Sequence, residues 1–495
     1  MSASHSLADR VNRSAAAEGV RRVLANGISL LLAYVLPRFF TVGAVILAAR
    51  VLGTGRFGAY GTAAAFAVIL SIVATLGMSP LLVREMAKSP DLAAGLLRTA
   101  HRVKTMSNVL MLAALYVLGR WIFAYPPAVL TGAMLLGLAY AIAAYTENLS
   151  AYFQSIERMH VWTQASAAYG LVTGVAGAAL VVTTGSVVAF CAAPIAGQLA
   201  ALSWLLYRLP RGMRSNTDAV AARWLIRALG PFTAAFVALT LHSKLDVLVL
   251  AHWRSPAEVG LYTAGYKFID LTQALAVVLA AAVYPRLSRV APANALRGRW
   301  AGTRLAELAV LAAALAATTL VVARAPIVAL LFGDAYVATA AILAFLGIAV
   351  PALVLNIVGG YVLAATGHMR DVALLYGCAV VFKLILNLVL VPGQGATGAA
   401  ISMLVTELGL AAGMLFLLRS RVAASPGTRT FAAVLGAAAV MAGALLVPDP
   451  THGVLAATLC TGIILMLYNV AGVVPREDRA VLLEAIGLGR SGVRP

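Results

Sequence analysis

Apolar residues run in blocks of roughly 20, separated by short turns rich in Gly, Pro and basic residues, from residue 27 to residue 474. A helix needs about 20 mostly apolar residues to cross a bilayer. The pattern predicts fourteen such helices, at 27–49, 57–79, 106–124, 128–150, 162–183, 187–207, 229–251, 261–284, 305–323, 338–364, 371–391, 396–418, 430–447 and 452–474. The first block does not read as a secretory signal: it is too long for that purpose and carries Pro37 and Arg38 at its centre.

The basic residues alternate with the spans. With the N-terminus placed inside, 28 of the 37 Lys and Arg fall on the inner side and 5 on the outer side. The other four, Arg38, Lys244, Lys267 and Lys383, lie within spans. Lys and Arg concentrate in cytoplasmic loops, so an even number of spans with both termini cytoplasmic is expected, in the cytoplasmic (inner) membrane. Composition agrees. The chain is 62% hydrophobic and 11% charged, against about 45–50% and about 25% in soluble domains. This excludes an ordinary soluble enzyme, a disordered chain and a secreted disulfide scaffold. The loop bias also accounts for the net charge of +19, with no nucleic-acid partner required.

Cys191, Cys378 and Cys460 all sit in apolar runs, with no CxxC or Cys/His spacing; neither a metal site nor a disulfide framework is expected. The longest outer connection, around Arg324–Val337, has about 15 residues, too few to fold a catalytic domain. No H-E-x-x-H, P-loop or G-x-S-x-G is found. The expectation is a non-enzyme with no catalytic residues and no cofactor.

The two halves repeat. Gly58 and Tyr60 match Gly260 and Tyr262 at an offset of 202. Tyr152-Phe153-Gln154 answers Tyr361-Val362-Leu363 at 209, and Thr184-Gly185-Ser186 answers Gln394-Gly395-Ala396 at 210. Matches in order at nearly one offset predict two six-helix lobes as parallel repeats. The fold class expected is an all-α polytopic membrane protein of about 14 transmembrane helices, with two pseudo-symmetric lobes and two C-terminal helices. Residues 1–26 form a cytoplasmic tail, 27–210 the first lobe, 211–228 a cytoplasmic linker, 229–420 the second lobe, 421–475 spans 13 and 14, and 476–495 a final cytoplasmic tail.

Several stretches resemble one family. Leu47-Ala48-Ala49-Arg50-Val51-Leu52-Gly53-Thr54-Gly55-Arg56-Phe57-Gly58-Ala59-Tyr60 is similar to the opening of the oligosaccharide flippases, part of the multidrug/oligosaccharidyl-lipid/polysaccharide exporter superfamily. So are Gly77-Met78 with Leu82-Val83-Arg84-Glu85, and Tyr152 through Met159. Asp246 through Tyr262, Tyr284-Pro285-Arg286, Leu331-Phe332-Gly333-Asp334 and Gly395-Ala396-Thr397-Gly398 complete the series, which covers roughly residues 25–420. The resemblance implies a two-lobe exporter working by alternating access on a polyprenyl-pyrophosphate-linked oligosaccharide. It also implies membrane lipid, the lipid-linked glycan, and the polymerase and glycosyltransferases of the same pathway as partners. A proton- or sodium-coupled multidrug antiporter of the same superfamily is the alternative. Such relatives typically carry a carboxylate in span 1, where this chain has only Arg38. A membrane glycan polymerase or ligase is a further alternative.

Ionisable residues inside a membrane are the default site candidates. The basic set, Arg38, Lys244, Lys267 and Lys383, is expected to meet the substrate. From the acidic set, Asp246, Asp270 and Glu407, with His242, are expected to couple an ion; Glu147 lies near the inner end of span 4, where it can reach water. The acidic and basic sets cancel in charge, whereas the resemblance implies a cationic cleft. Arg38 beside Pro37 reads either as a gate residue or as an arginine satisfied by a bent helix. His242 and Asp246 share a helix face, as do Lys267 and Asp270, and Lys244 points elsewhere. Together these five read either as a coupling site or as a network tying span 7 to span 8. Lys383 and Glu407 lie at similar depth in one hairpin, which makes them a candidate pair. Gly170/Gly174 and Gly409/Gly413 read as helix-packing patterns, and the Trp and end-of-span Tyr residues as an interfacial belt.

Overall fold

The structure is a computed structural model describing residues 2–214, 222–293 and 295–422, with four isolated positions between 434 and 443. Apart from those four positions in span 13, the expected spans 13 and 14, the tail 476–495 and part of the 211–228 linker lie outside the described residues. Every regular element among the described residues is helical. In order these are α1 (Ser2–Thr75), α2 (Met78–Lys88), α3 (Ala93–Val117), α4 (Pro127–Ser155), α5 (Met159–Thr184), α6 (Val187–Arg208), α7 (Ala222–Trp253), α8 (Pro256–Ala293), α9 (Ala295–Val322), α10 (Arg324–Phe332), α11 (Thr339–Ala365) and α12 (Met369–Leu417).

Among the described residues, eight helical stretches are long and apolar enough to cross a membrane, or nine if Ala306–Val322 and Arg324–Phe332, bent by 75°, count as one. Two of the eight, Val35–Lys88 and Met369–Val422, are 54 residues each. Straight helices of that length would measure roughly 80 Å, against a hydrocarbon core of about 30 Å. Each is broken near its middle at a glycine: Gly53 (φ 70, ψ 172) in α1 and Gly395 (φ 57, ψ −135) in α12. Side-chain-bearing residues avoid these backbone angles, so the two glycines turn each long helix into the two spans expected there. The exposed surface is strongly apolar. Val109, Val182, Leu374 and Val389 are each more than half exposed, as residues facing acyl chains would be. The chain is an all-α, multi-pass membrane protein.

The helices cluster into two compact units, one of Met1–Lys267 with Tyr376–Ala396, the other of Phe268–Leu375 with Thr397–Pro495. In the first unit, α5 packs along α1 and α6. Glycine permits the close approach. A Cβ on Gly170 would fall on the backbone of Pro37, and one on Gly174 would lie 2.8 Å from the carbonyl oxygen of Phe40. Gly170/Gly174 is therefore a packing motif. Of the second expected pattern, only Gly413 makes a close contact, with Leu375 inside the second unit; Gly409 faces open space.

Three details depart from the sequence pattern. The second span ends at Thr75, because Leu76 (φ 53) and Gly77 (φ 60) are both left-handed. After this joint comes α2, whose Met78, Leu81, Leu82 and Met86 are buried beside Leu149, Phe153 and Leu205. Secondly, α3 begins at Ala93, well ahead of the expected 106, and so takes Lys104 out of the inner loop and into a helix. Thirdly, Trp121 and Trp253 are exposed as belt residues would be, but Tyr262, Tyr266 and Tyr336 are buried.

Candidate functional site

A buried ionic cluster lies in the first unit, where α7, the start of α8 and the first half of α12 meet. The Lys383 ammonium is 2.8 Å from Asp246 Oδ1, and both side chains are fully buried. It also donates to the backbone carbonyl of His242 at 2.6 Å. The Tyr262 hydroxyl donates to the other Asp246 oxygen at 2.6 Å. One turn along from Lys383, Asn387 donates to the Lys383 carbonyl at 2.9 Å. The His242 ring meets the edge of Tyr376, ring centroids 5.6 Å apart. A buried charge is tolerated only when paired and hydrogen-bonded, and here two helix faces and a tyrosine supply those partners.

The structure thus brings together Lys383, Asp246 and His242. Lys244, on another face of α7, sits 4.3 Å above the Tyr266 ring, and Tyr266 donates to the Ser243 carbonyl at 2.6 Å. These contacts tie α7 to α8. Lys267 and Asp270 are both half-buried on α8. Lys383 meets Asp246 in the first unit, and in the second unit Glu407 accepts from the Asn356 amide at 2.7 Å. Both Asn356 and Glu407 are almost fully buried.

Arg38 is half-buried on α1, one position after Pro37, whose own carbonyl accepts from Thr41 at 3.0 Å. Lys104 was not among the intramembrane candidates. Its side chain is fully buried, donates to the carbonyl of Thr75 at 2.7 Å and lies 3.7 Å from Glu147, which is 44% exposed. It thereby covers an orphan carbonyl at a helix C-terminus, where a cation is favoured. The signal for it in the sequence was the i, i+4 spacing of Lys104 and Asn108, hidden by the basic run before it. Glu147 reaches the surface, as expected.

Positions matched by the repeat contrast at this cluster. At offsets of 202 and 209, Phe40 answers His242 and Gly174 answers Lys383. In the first half, Gly174 lets the α5 backbone lie against the Phe40 carbonyl. In the second half, the matching carbonyl of His242 is instead met by an ammonium. A second matched pair conserves place but not charge. Arg56 donates to the carbonyl of Gly185 at 3.0 Å, and its counterpart Glu258 accepts from the amide of Ala396, beside Gly395, at 3.3 Å.

A protein family described as polysaccharide biosynthesis protein matches residues 23–291. The chain belongs to that family. None of the curated proteins matches the chain in sequence. Its fold is shared with solved transporters. The lipid II flippase MurJ in an inward closed conformation aligns with a TM-score of 0.67 at 13% identity, covering 90% of this chain and 99% of that one. An inward-facing MATE-family multidrug resistance transporter of the MOP superfamily aligns with a TM-score of 0.64 at 16% identity, covering 80% and 98%. A MOP superfamily transporter from Pyrococcus furiosus, described as having a binding pocket of reverse polarity, gives 0.59 at 16% identity, covering 81% and 95%. At such identities the likeness is one of fold.

Proposed function

We propose that this protein carries a polyprenyl-pyrophosphate-linked oligosaccharide from the inner to the outer leaflet of the cytoplasmic membrane by alternating access, with both termini inside. The observation that supports this most is a lipid II flippase's fold in a chain of the polysaccharide biosynthesis family. The physical need is plain: sugar hydroxyls entering hydrocarbon lose water without replacement partners. In this reading 27–210 and 229–420 are the two lobes, and a polar path between them replaces that water while the lipid tail stays in the bilayer. The lipid-linked glycan is the cargo, and the polymerase and glycosyltransferases of the pathway act before and after it.

Arg38, Lys244, Lys267 and Lys383 are the groups proposed to meet the anionic head group, and Asp246, His242, Asp270 and Glu407 those proposed to couple an ion. Lys383 already holds Asp246, so a diphosphate would have to exchange with the carboxylate. Asp246 would keep the Tyr262 hydrogen bond through that exchange. The reaction makes and breaks no covalent bond.

The test uses purified full-length protein in vesicles loaded with a labelled polyprenyl-pyrophosphate oligosaccharide, read by a membrane-impermeant glycosidase. Protein-containing vesicles should expose inner-leaflet glycan that protein-free vesicles keep protected. Protected glycan together with extrusion of a cationic dye on an imposed pH gradient would favour the antiporter alternative; glycan of increased length would favour the polymerase. In cells, deleting the gene should lower surface polysaccharide while membrane glycosyltransferase activity persists.

A further inference from the structure

The second span, from Thr54 to Thr75, is held at both ends by the other sequence repeat. At one end residues 54–61 lie against 256–263, backbone on backbone. A Cβ on Gly58 would fall on the Pro256 carbonyl and 2.8 Å from the Gly260 nitrogen, and one on Gly260 would fall on the Thr54 carbonyl. One turn on, Gly61 abuts the Thr263 side chain. Gly58 and Gly260 are themselves matched by the repeat, so at these two positions equivalent parts of the two halves meet backbone to backbone.

At the other end the helix stops at a strained joint. Leu76 takes a left-handed φ of 53, followed by Gly77 at 60. A β-carbon disfavours that conformation, and such residues persist only where their surroundings hold them, often at switch regions. The turn also leaves helix-terminal carbonyls without intrahelical partners. Lys104 takes that of Thr75 from within the first repeat. The Leu76 carbonyl is taken by Thr233 Oγ1 at 2.7 Å, and Thr233 belongs to α7, in the second repeat.

We propose that Thr233 is a latch: its bond to Leu76 closes the Arg84 end of the transport path and must break each time that end opens, while the Gly58–Gly260 seam shuts the opposite end. The proposal rests on the transport reading. The two ends differ in kind. Thr233 and Leu76 are both half-buried, so water can satisfy both groups as soon as their bond breaks. Opening the seam requires two lengths of closely packed backbone to part together. The latch is the smaller step, and the left-handed Leu76 gives α2 a joint about which to move once released.

Hydrogen–deuterium exchange on the full-length protein in lipid nanodiscs tests this without any cargo, so a wrong assignment of the transported molecule cannot mimic failure of the latch. Thr233→Val keeps the shape and removes the hydroxyl; Thr233→Ser restores it. Amides of residues 77–88 should exchange about fivefold faster in Thr233→Val, the factor set by one ordinary hydrogen bond. Those at the 54–61 seam should not change, and Thr233→Ser should match the parent. Equal exchange in Thr233→Val and the parent would overturn the proposal. So would faster exchange at both ends, which marks general loosening, or a serine variant that behaves like valine.

Discussion

Lys383 and Asp246 sit 2.8 Å apart with neither side chain exposed, and Tyr262 holds the free oxygen of the carboxylate. Truncating one partner of a buried pair leaves the other uncompensated, at about 3–5 kcal/mol, whereas removing both is often nearly neutral. Lys383→Ala should therefore lower the unfolding temperature and membrane abundance sharply. The Lys383→Ala/Asp246→Ala protein should recover most of both. Thermal unfolding in detergent with quantified membrane fractions checks this. If the Asp246 double variant recovers its amount yet exports no glycan, the pair serves transport as well as the fold.

Gly395 combines a left-handed φ of 57 with a position where a Cβ would strike the Glu258 carboxylate. Gly395→Ala should cost about 1–2 kcal/mol from backbone strain alone, plus the clash. Adding Glu258→Ala should remove the nearest clash and leave the strain and the Arg254 guanidinium, 2.8 Å from the same Cβ, so a double-mutant cycle on unfolding temperatures should show partial rescue. Full rescue would mean the backbone angle carries no cost.

Lys104 and Glu147 face each other at 3.7 Å but are unequally buried, at 0% and 44% exposed. Lys104→Met uncovers the buried Thr75 carbonyl, an unsatisfied acceptor costing about 1–3 kcal/mol. Glu147→Gln removes only a water-accessible partner, a change of about 1 kcal/mol or less. The unfolding temperature should fall clearly in the first variant and barely in the second. Equal losses would show that the ion pair, rather than the helix end, is what Lys104 serves.

Tyr125 lies in the short connection between α3 and α4, stacked on Phe123, and burial pushes its phenol up to about 12. A raised phenol pKa means the folded state prefers the protonated ring. The stability from this source is intact below about pH 10, the ordinary tyrosine value, and is lost as pH rises toward the folded value. In the folded protein, phenolate absorbance near pH 11 should therefore be the same in Tyr125→Phe as in the parent. A parent that gains one more phenolate there than the variant would place Tyr125 in water.

The charge bias of the loops predicts that reporter fusions after Arg214, Arg297 and Arg421 read cytoplasmic, and fusions near Arg254 and Gly393 external. One of the first three reading external would break the alternating topology on which the orientation rests.

The spans were legible in the sequence because their cause is local. Backbone groups in hydrocarbon must bond within their own segment, so an apolar run of the right length becomes a helix whatever its neighbours are. The turns at Gly53 and Gly395 were legible too, since only glycine accepts those angles cheaply. Tertiary structure decided the rest. Lys383 found Asp246 on α7, Lys104 became a buried helix cap, and Tyr262 left the expected belt to hold a carboxylate. Thr233, an unremarkable threonine in the sequence, came to hold the carbonyl of Leu76. Each outcome depends on which helix face meets which neighbour, and helix packing, at contacts such as Gly174 against Phe40, fixes that. Length and polarity along one segment carry no record of it.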